Sequence, residues 1–61
     1  MIINDLPIAG PYSVFDTHSG HYIFSWLDRS APGDMPPDIA ILPVLRSYND
    51  GPVLIIETEV Y

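Results

Sequence analysis

A carboxylate and two imidazoles fall close together at Asp16, His18 and His21. That combination is a zinc ligand set, and a catalytic zinc would keep a fourth position for water. The local pattern works against convergence. The segment reads as a hairpin turning at His18-Ser19-Gly20, a three-residue loop with glycine at the left-handed position. This register pairs Thr17 with His21 and Asp16 with Tyr22. Strand side chains alternate faces, so His21 and Asp16 point apart. The histidines read as exposed turn residues, and no metal site is expected.

Other catalytic chemistry finds even less support. Ser13, Ser19, Ser25, Ser30 and Ser47 are present without a Gly-x-Ser-x-Gly elbow, and cysteine is absent. The carboxylates cannot be dismissed by counting, but a domain this small has little pocket in which to raise one carboxyl pKa above another. There is neither a phosphate-cradling loop nor a dinucleotide fingerprint. The expectation is a protein that is not an enzyme and uses no cofactor.

The elements that would position any site begin with Tyr12 to Leu27, YSVFDTHSGHYIFSWL. The hairpin register continues from Phe15 opposite Ile23 to Tyr12 opposite Trp26. Tyr12, Val14, Tyr22, Phe24 and Trp26 then share a face with Asp16. Ser13, Phe15, Thr17, His21, Ile23 and Ser25 occupy the other. Before the hairpin, Met1-Ile2-Ile3-Asn4 suits a short edge strand, and Asp5 to Pro11 an irregular connection broken by Pro7 and Pro11. Leu6 and Ile8 are candidate core plugs within that connection.

After the hairpin, Asp28 to Asp38 holds three prolines, a glycine and three aspartates, which excludes helix and ladder strand. Long loops in small domains tend to be functional or mobile. Met35 stands in this one either as an adaptable apolar tip beside Pro36-Pro37 or, in a plain surface loop, folded back onto the sheet. Ile39 to Arg46, IAILPVLR, is apolar almost throughout and reads as a strand with an edge position or bulge at Pro43, while periodicity alone leaves a short helix open. Tyr48 to Pro52 reads as a loop closed by Ser47 and Val53, because Pro52 cannot donate to an opposing strand. That choice sets Arg46 against Leu54 and Val44 against Ile56. The last strand places Leu54, Ile56, Thr58 and Val60 on one face.

The predicted architecture is all-β: one domain over 1–61, a small antiparallel sandwich or partly open barrel of four to five strands. It is built from two hairpins, about 12–27 and 39–61, joined by the long proline-rich loop.

Composition bounds what such a domain can do. A chain of 61 residues has a thin core, and a single core of this size rarely supplies more than roughly 3–5 kcal/mol. With 48% hydrophobic residues, apolar surface should remain outside, and self-association covers it most simply. Both chain ends read as strands, and an unprotected edge strand invites a second copy. A homodimer is the favoured state.

Eight carboxylates against two arginines give a formal net charge of −6. That balance disfavours direct contact with nucleic acid or an anionic membrane, and steers a basic protein surface toward the chain. The blander reading of the same acidity is that it keeps an apolar mini-protein soluble. No signal peptide is recognisable and no stretch approaches the ~20 apolar residues of a membrane helix, so a cytoplasmic protein is expected.

These readings favour a small, acidic, non-enzymatic protein-binding module. A chain of this kind is similar in general character to the small inhibitors that phages and mobile elements encode against host proteins, a likeness of style carried by no motif. The candidate contact surface is the proline-rich loop with the acidic last strand: Asp28, Arg29, Asp34, Met35, Asp38, Glu57, Glu59 and Tyr61. An alternative is a small-molecule binder with a pocket at a subunit boundary, lined by Tyr22, Trp26, Arg29 and Arg46. Arginine forks suit carboxylate or phosphate there. A third reading is a structural subunit of a larger assembly, joined through strand edges. Mimicry of DNA would require Asp5, Asp16, Asp28, Asp34, Asp38, Asp50, Glu57 and Glu59 to gather on one face.

Overall fold

The computed structural model describes residues 1–27 and 35–60. Four strands, β1 (Tyr12–Asp16), β2 (His21–Trp26), β3 (Arg46–Asp50) and β4 (Val53–Thr58), form a single sheet in the order β2-β1-β4-β3. Both hairpins are antiparallel, but β1 and β4 meet in parallel at the centre. The sheet is open and mixed. The all-β expectation holds, while the described residues form neither the second packed sheet of a sandwich nor a barrel.

The physical reason lies in 37–45. This stretch is not the expected strand: Pro37 opens a four-residue helix, α1 (Pro37–Ala40), where the missing N–H of proline does no harm. Ile41 to Leu45 then runs irregularly, and Pro43 makes only an isolated bridge to Ile2. With no strand there, one side of β4 is left for β1. The strand order also explains the long connection after β2. It must carry the chain from one edge of the sheet to the other, three strand spacings or roughly 14 Å.

One face of the sheet is covered. Parallel pairing aligns Tyr12 with Leu54, Val14 with Ile56 and Asp16 with Thr58 on that face. Ile3, Tyr12, Val14 and Ile56 are the buried cluster, with Leu6, Ile8, Phe24, Trp26, Met35, Ile39, Leu42, Val44 and Leu54 packed against it. The cover is therefore built from irregular segments at the N-terminus and from 35–45. The N-terminal residues are a 3-10 turn, Ile3–Asp5, rather than an edge strand. Ile3 N–H donates to Leu42 C=O at 3.0 Å and Val44 N–H to Met1 C=O at 3.1 Å, tying the two covering segments together.

Both registers differ from expectation near the turns. Asp16 pairs with His21 and Phe15 with Tyr22, while Val14, Ser13 and Tyr12 pair with Phe24, Ser25 and Trp26 as predicted. A β-bulge absorbs Ile23, so Tyr22 joins Phe15 on the uncovered face instead of the aromatic core face. The turn is held by Asp16, whose Oδ1 accepts from His18 N–H at 2.9 Å and whose Oδ2 accepts from Ser19 N–H at 3.3 Å. The local bonding of an aspartate to the backbone beyond it selects the longer loop. Gly20 keeps the left-handed conformation foreseen for it, φ 76°.

In the second hairpin Asp50 pairs with Val53, and Arg46 faces Glu57 rather than Leu54. Gly51 has φ 61° and is followed by proline, the pattern of a two-residue type II′ turn. Pro52 occupies a turn position that needs no amide donor, so its missing N–H does not lengthen the loop.

Candidate functional site

The face of the sheet opposite the cover carries a patterned surface among the described residues. Side chains reach it from Phe15 and Ser13 of β1, Tyr22 of β2, Val53, Ile55 and Glu57 of β4, and Arg46, Tyr48 and Asp50 of β3. Phe15 and Tyr22 pack edge to face with ring centroids 5.0 Å apart. Ser25 donates its hydroxyl to Ser13 Oγ at 3.0 Å. Toward β3, Arg46 Nε donates to Glu57 Oε2 at 2.8 Å while the guanidinium lies 5.0 Å from the Tyr48 ring centroid. The hydrogen bond donated to Glu57, and next the charge of that carboxylate, push the Arg46 guanidinium above its ordinary range. Tyr22 and Tyr48 are 58% and 43% exposed, far more than aromatic side chains in a core.

This face presents two exposed tyrosines and one stacked arginine, while between them Phe15 is half-buried and Ile55 and Ser13 are buried. Tyrosine and arginine are enriched among residues that dominate binding energy, because each combines large contact area with a polar end. Among the described residues no group of three or more histidine, aspartate or glutamate side chains could hold a metal ion.

Asp16 has a structural task instead. It is 4% exposed, and its Oδ1 also accepts the Val60 N–H at 3.0 Å, joining the first hairpin to the end of the last strand. Burial raises its pKa, but the Val60 N–H, the Ser19 side chain, and the N–H groups of His18 and Ser19 outweigh it and hold the carboxyl below its usual range.

The residues expected to contact a partner are distributed differently. Asp28, Arg29, Asp34 and Tyr61 lie outside the described residues. Met35 is half-buried and packs against the core cluster, so it plugs the cover instead of standing free at a loop tip. Asp38 is exposed in the first turn of α1. Glu57 is tied to Arg46, and Glu59 is half-buried. Of the alternative ligand set, Trp26 faces the core, while Tyr22 and Arg46 stand on the two outer strands of the opposite face. These three are not brought together.

A separate cleft of about 310 Å³ lies between Leu6–Pro11 and the second hairpin, lined by Leu6, Ile8, Leu54 and Pro52 with Ser47 and Asn49. None of the expected ligand residues lines it. Tyr48 was hidden from sequence reasoning because 48–52 reads as a loop, whereas strand β3 runs over Arg46–Asp50. The usable signal was the alternation Arg46, Tyr48, Asp50, which places these three on one face as soon as 46–50 is read as strand.

Several of the described carboxylates are engaged within the chain. Asp5 accepts the Ile2 N–H, Asp16 is buried, Glu57 engages Arg46, and Asp38 belongs to the cover. No helix among the described residues is long and apolar enough to cross a membrane. Comparison with protein-family models, with curated proteins and with solved structures finds no match to this chain.

Proposed function

We propose that this chain is a small, acidic, non-enzymatic module that binds another protein through the uncovered face of its sheet. The observation that carries the reading is the surface formed by exposed Tyr22, Arg46 and Tyr48 with half-buried Phe15 on one face of the sheet. A net charge of −6 favours a partner with a basic surface, and association should weaken as salt rises. Inhibition of the bound protein is the role that best fits a chain offering contact without chemistry.

The test is a binding comparison, not a capture alone. The wild-type chain and a Tyr22→Ser variant are each presented to the host lysate. The reading expects one protein held stoichiometrically by the wild type, released by salt, and lost with Tyr22→Ser at unchanged thermal stability. A partner held equally by both forms would refute the assignment of this face.

The cleft beside Leu6–Pro11 favours a second reading, a small-molecule binder. Its volume of about 310 Å³ sits at the lower end of ligand pockets, and it has apolar walls with two neutral polar side chains. A retained small mass in the native mass spectrum would support that reading over the first.

A further inference from the structure

The two outer strands end the sheet in different ways. β2 contains the bulge at Ile23, and a bulge interrupts a free edge and discourages pairing. β3 keeps unbroken register from Arg46 to Asp50, with every residue exposed and no lysine, proline or bulge within it. The tight turn closes with Asp50 and Val53 hydrogen-bonded to each other. Antiparallel alternation then aims the backbone of Arg46, Tyr48 and Asp50 at β4 and turns the N–H and C=O of Ser47 and Asn49 outward. Ser47 and Asn49 line the open cleft.

The strand's sequence, Arg-Ser-Tyr-Asn-Asp, is complementary to itself when reversed about Tyr48. We propose that β3 pairs antiparallel with β3 of a second copy about a two-fold axis at Tyr48, joining two sheets into one. Ser47 then faces the partner's Asn49 as a hydrogen-bonded pair, and Asn49 the partner's Ser47, so all outward backbone groups at the centre are satisfied. Tyr48 meets the partner's Tyr48 at a non-hydrogen-bonded position, where side chains lie closest. Arg46 stands opposite the partner's Asp50, and Asp50 opposite the partner's Arg46.

Charge complementarity therefore occurs at both ends of the seam with the same chain on both sides, the signature of an isologous contact. The Arg46 side chain is 69% exposed, and Nε alone engages Glu57, leaving other N–H groups of the guanidinium for the partner's carboxylate. The terminal segments cannot serve instead. The N-terminus folds into the cover, and β4 lies inside the sheet. The seam takes Arg46 and Tyr48 from one rim of the uncovered face and leaves Phe15 and Tyr22, at the other side of the sheet, outside it, so Tyr22→Ser probes the protein-binding reading without touching the seam.

Mass by sedimentation equilibrium across a concentration series tests it on the full chain. The wild type should approach twice 6.8 kDa. Asp50→Arg places arginine at both ends of the strand, and Arg46→Asp places aspartate at both. Either like-charged seam should weaken self-association at least about tenfold. Mixed in equal amounts, the two variants recover opposite charges at both ends and should form a heterodimer. Ser47→Pro removes an outward N–H while sparing the bonds to β4, and should give a chain that is folded by circular dichroism but monomeric. A wild type that stays at the mass of one chain throughout overturns the proposal. So do charge variants that remain dimers by themselves, or that fail to combine when mixed.

Discussion

Thr58 is fully buried, and its Oγ1 has no hydrogen-bond partner among the described residues. Its backbone, by contrast, is well used: Thr58 C=O accepts from Thr17 N–H at 2.9 Å and from Thr17 Oγ1 at 3.0 Å. A buried hydroxyl without a partner forfeits its bonds to water, a penalty of about 1–3 kcal/mol. Thr58→Val keeps the β-branched shape that suits the strand and replaces the hydroxyl by a methyl group. Stability should rise by about 1 kcal/mol, the lower part of that range, because the added methyl must still fit a closed site. For a domain of this size, that corresponds to a gain of roughly 4–8 °C in melting temperature. Thr58→Ser removes the methyl and keeps the hydroxyl, losing about 0.8 kcal/mol of apolar burial and leaving a small void. Thermal unfolding followed by circular dichroism, at one fixed protein concentration, should rank the chains valine above threonine above serine. The order threonine, serine, valine would refute the reasoning, since it would mean that the hydroxyl is satisfied in solution.

Three further substitutions probe other parts of the fold. Ile3 is fully buried although it lies in an irregular segment, so Ile3→Ala should cost about 2–5 kcal/mol, enough to unfold most of the population and erase the unfolding transition. Gly51 has φ 61° with open space where a Cβ would stand, so Gly51→Ala should lose about 1–2 kcal/mol from backbone strain alone, measured by urea titration. The lowered pKa of Asp16 means that the folded chain favours its carboxylate more than the unfolded chain does. Its contribution is complete above the unfolded value near 3.9 and is lost as pH falls through the lower folded value. Melting temperature should therefore drop on acidification in the wild type, and the drop should be smaller in Asp16→Asn.

Local signals in the sequence were reliable where they involved glycine and alternation. Gly20 and Gly51 mark the two turns, whereas the pairing of Tyr12, Ser13 and Val14 with Trp26, Ser25 and Phe24 matches the count from Gly20 only because the bulge at Ile23 offsets the longer loop. The bulge at Ile23 was not legible, because nothing in Tyr22-Ile23-Phe24 distinguishes an extra residue from a regular one. Its effect was large: it moved Tyr22 out of the expected core and onto the uncovered face. Topology was illegible for a different reason. IAILPVL has the hydrophobicity of a buried strand, and only tertiary packing decides that Ile39, Leu42 and Val44 lie over the sheet instead of within it. The candidate surface depends on both of these unreadable choices, which is why Met35 and the acidic last strand, prominent in the sequence, are bound up in the structure.

The same thin core sets how stability should respond to association. The buried hydrophobic residues among those described are Ile3, Tyr12, Val14, Ile55 and Ile56, and Ile55 belongs to the uncovered face. A single core at this length supplies roughly 3–5 kcal/mol. Binding that involves only the folded state adds RT ln(1 + [L]/Kd), or about 2.7 kcal/mol at a hundredfold excess over Kd. Association through β3 would thus be comparable with everything the isolated chain provides. Raising the total concentration a hundredfold should shift the melting temperature upward by several degrees for the wild type and leave Ser47→Pro unchanged. A wild-type transition independent of concentration would show that the folded chain draws no stability from a second copy, and that its one-sided core is sufficient alone.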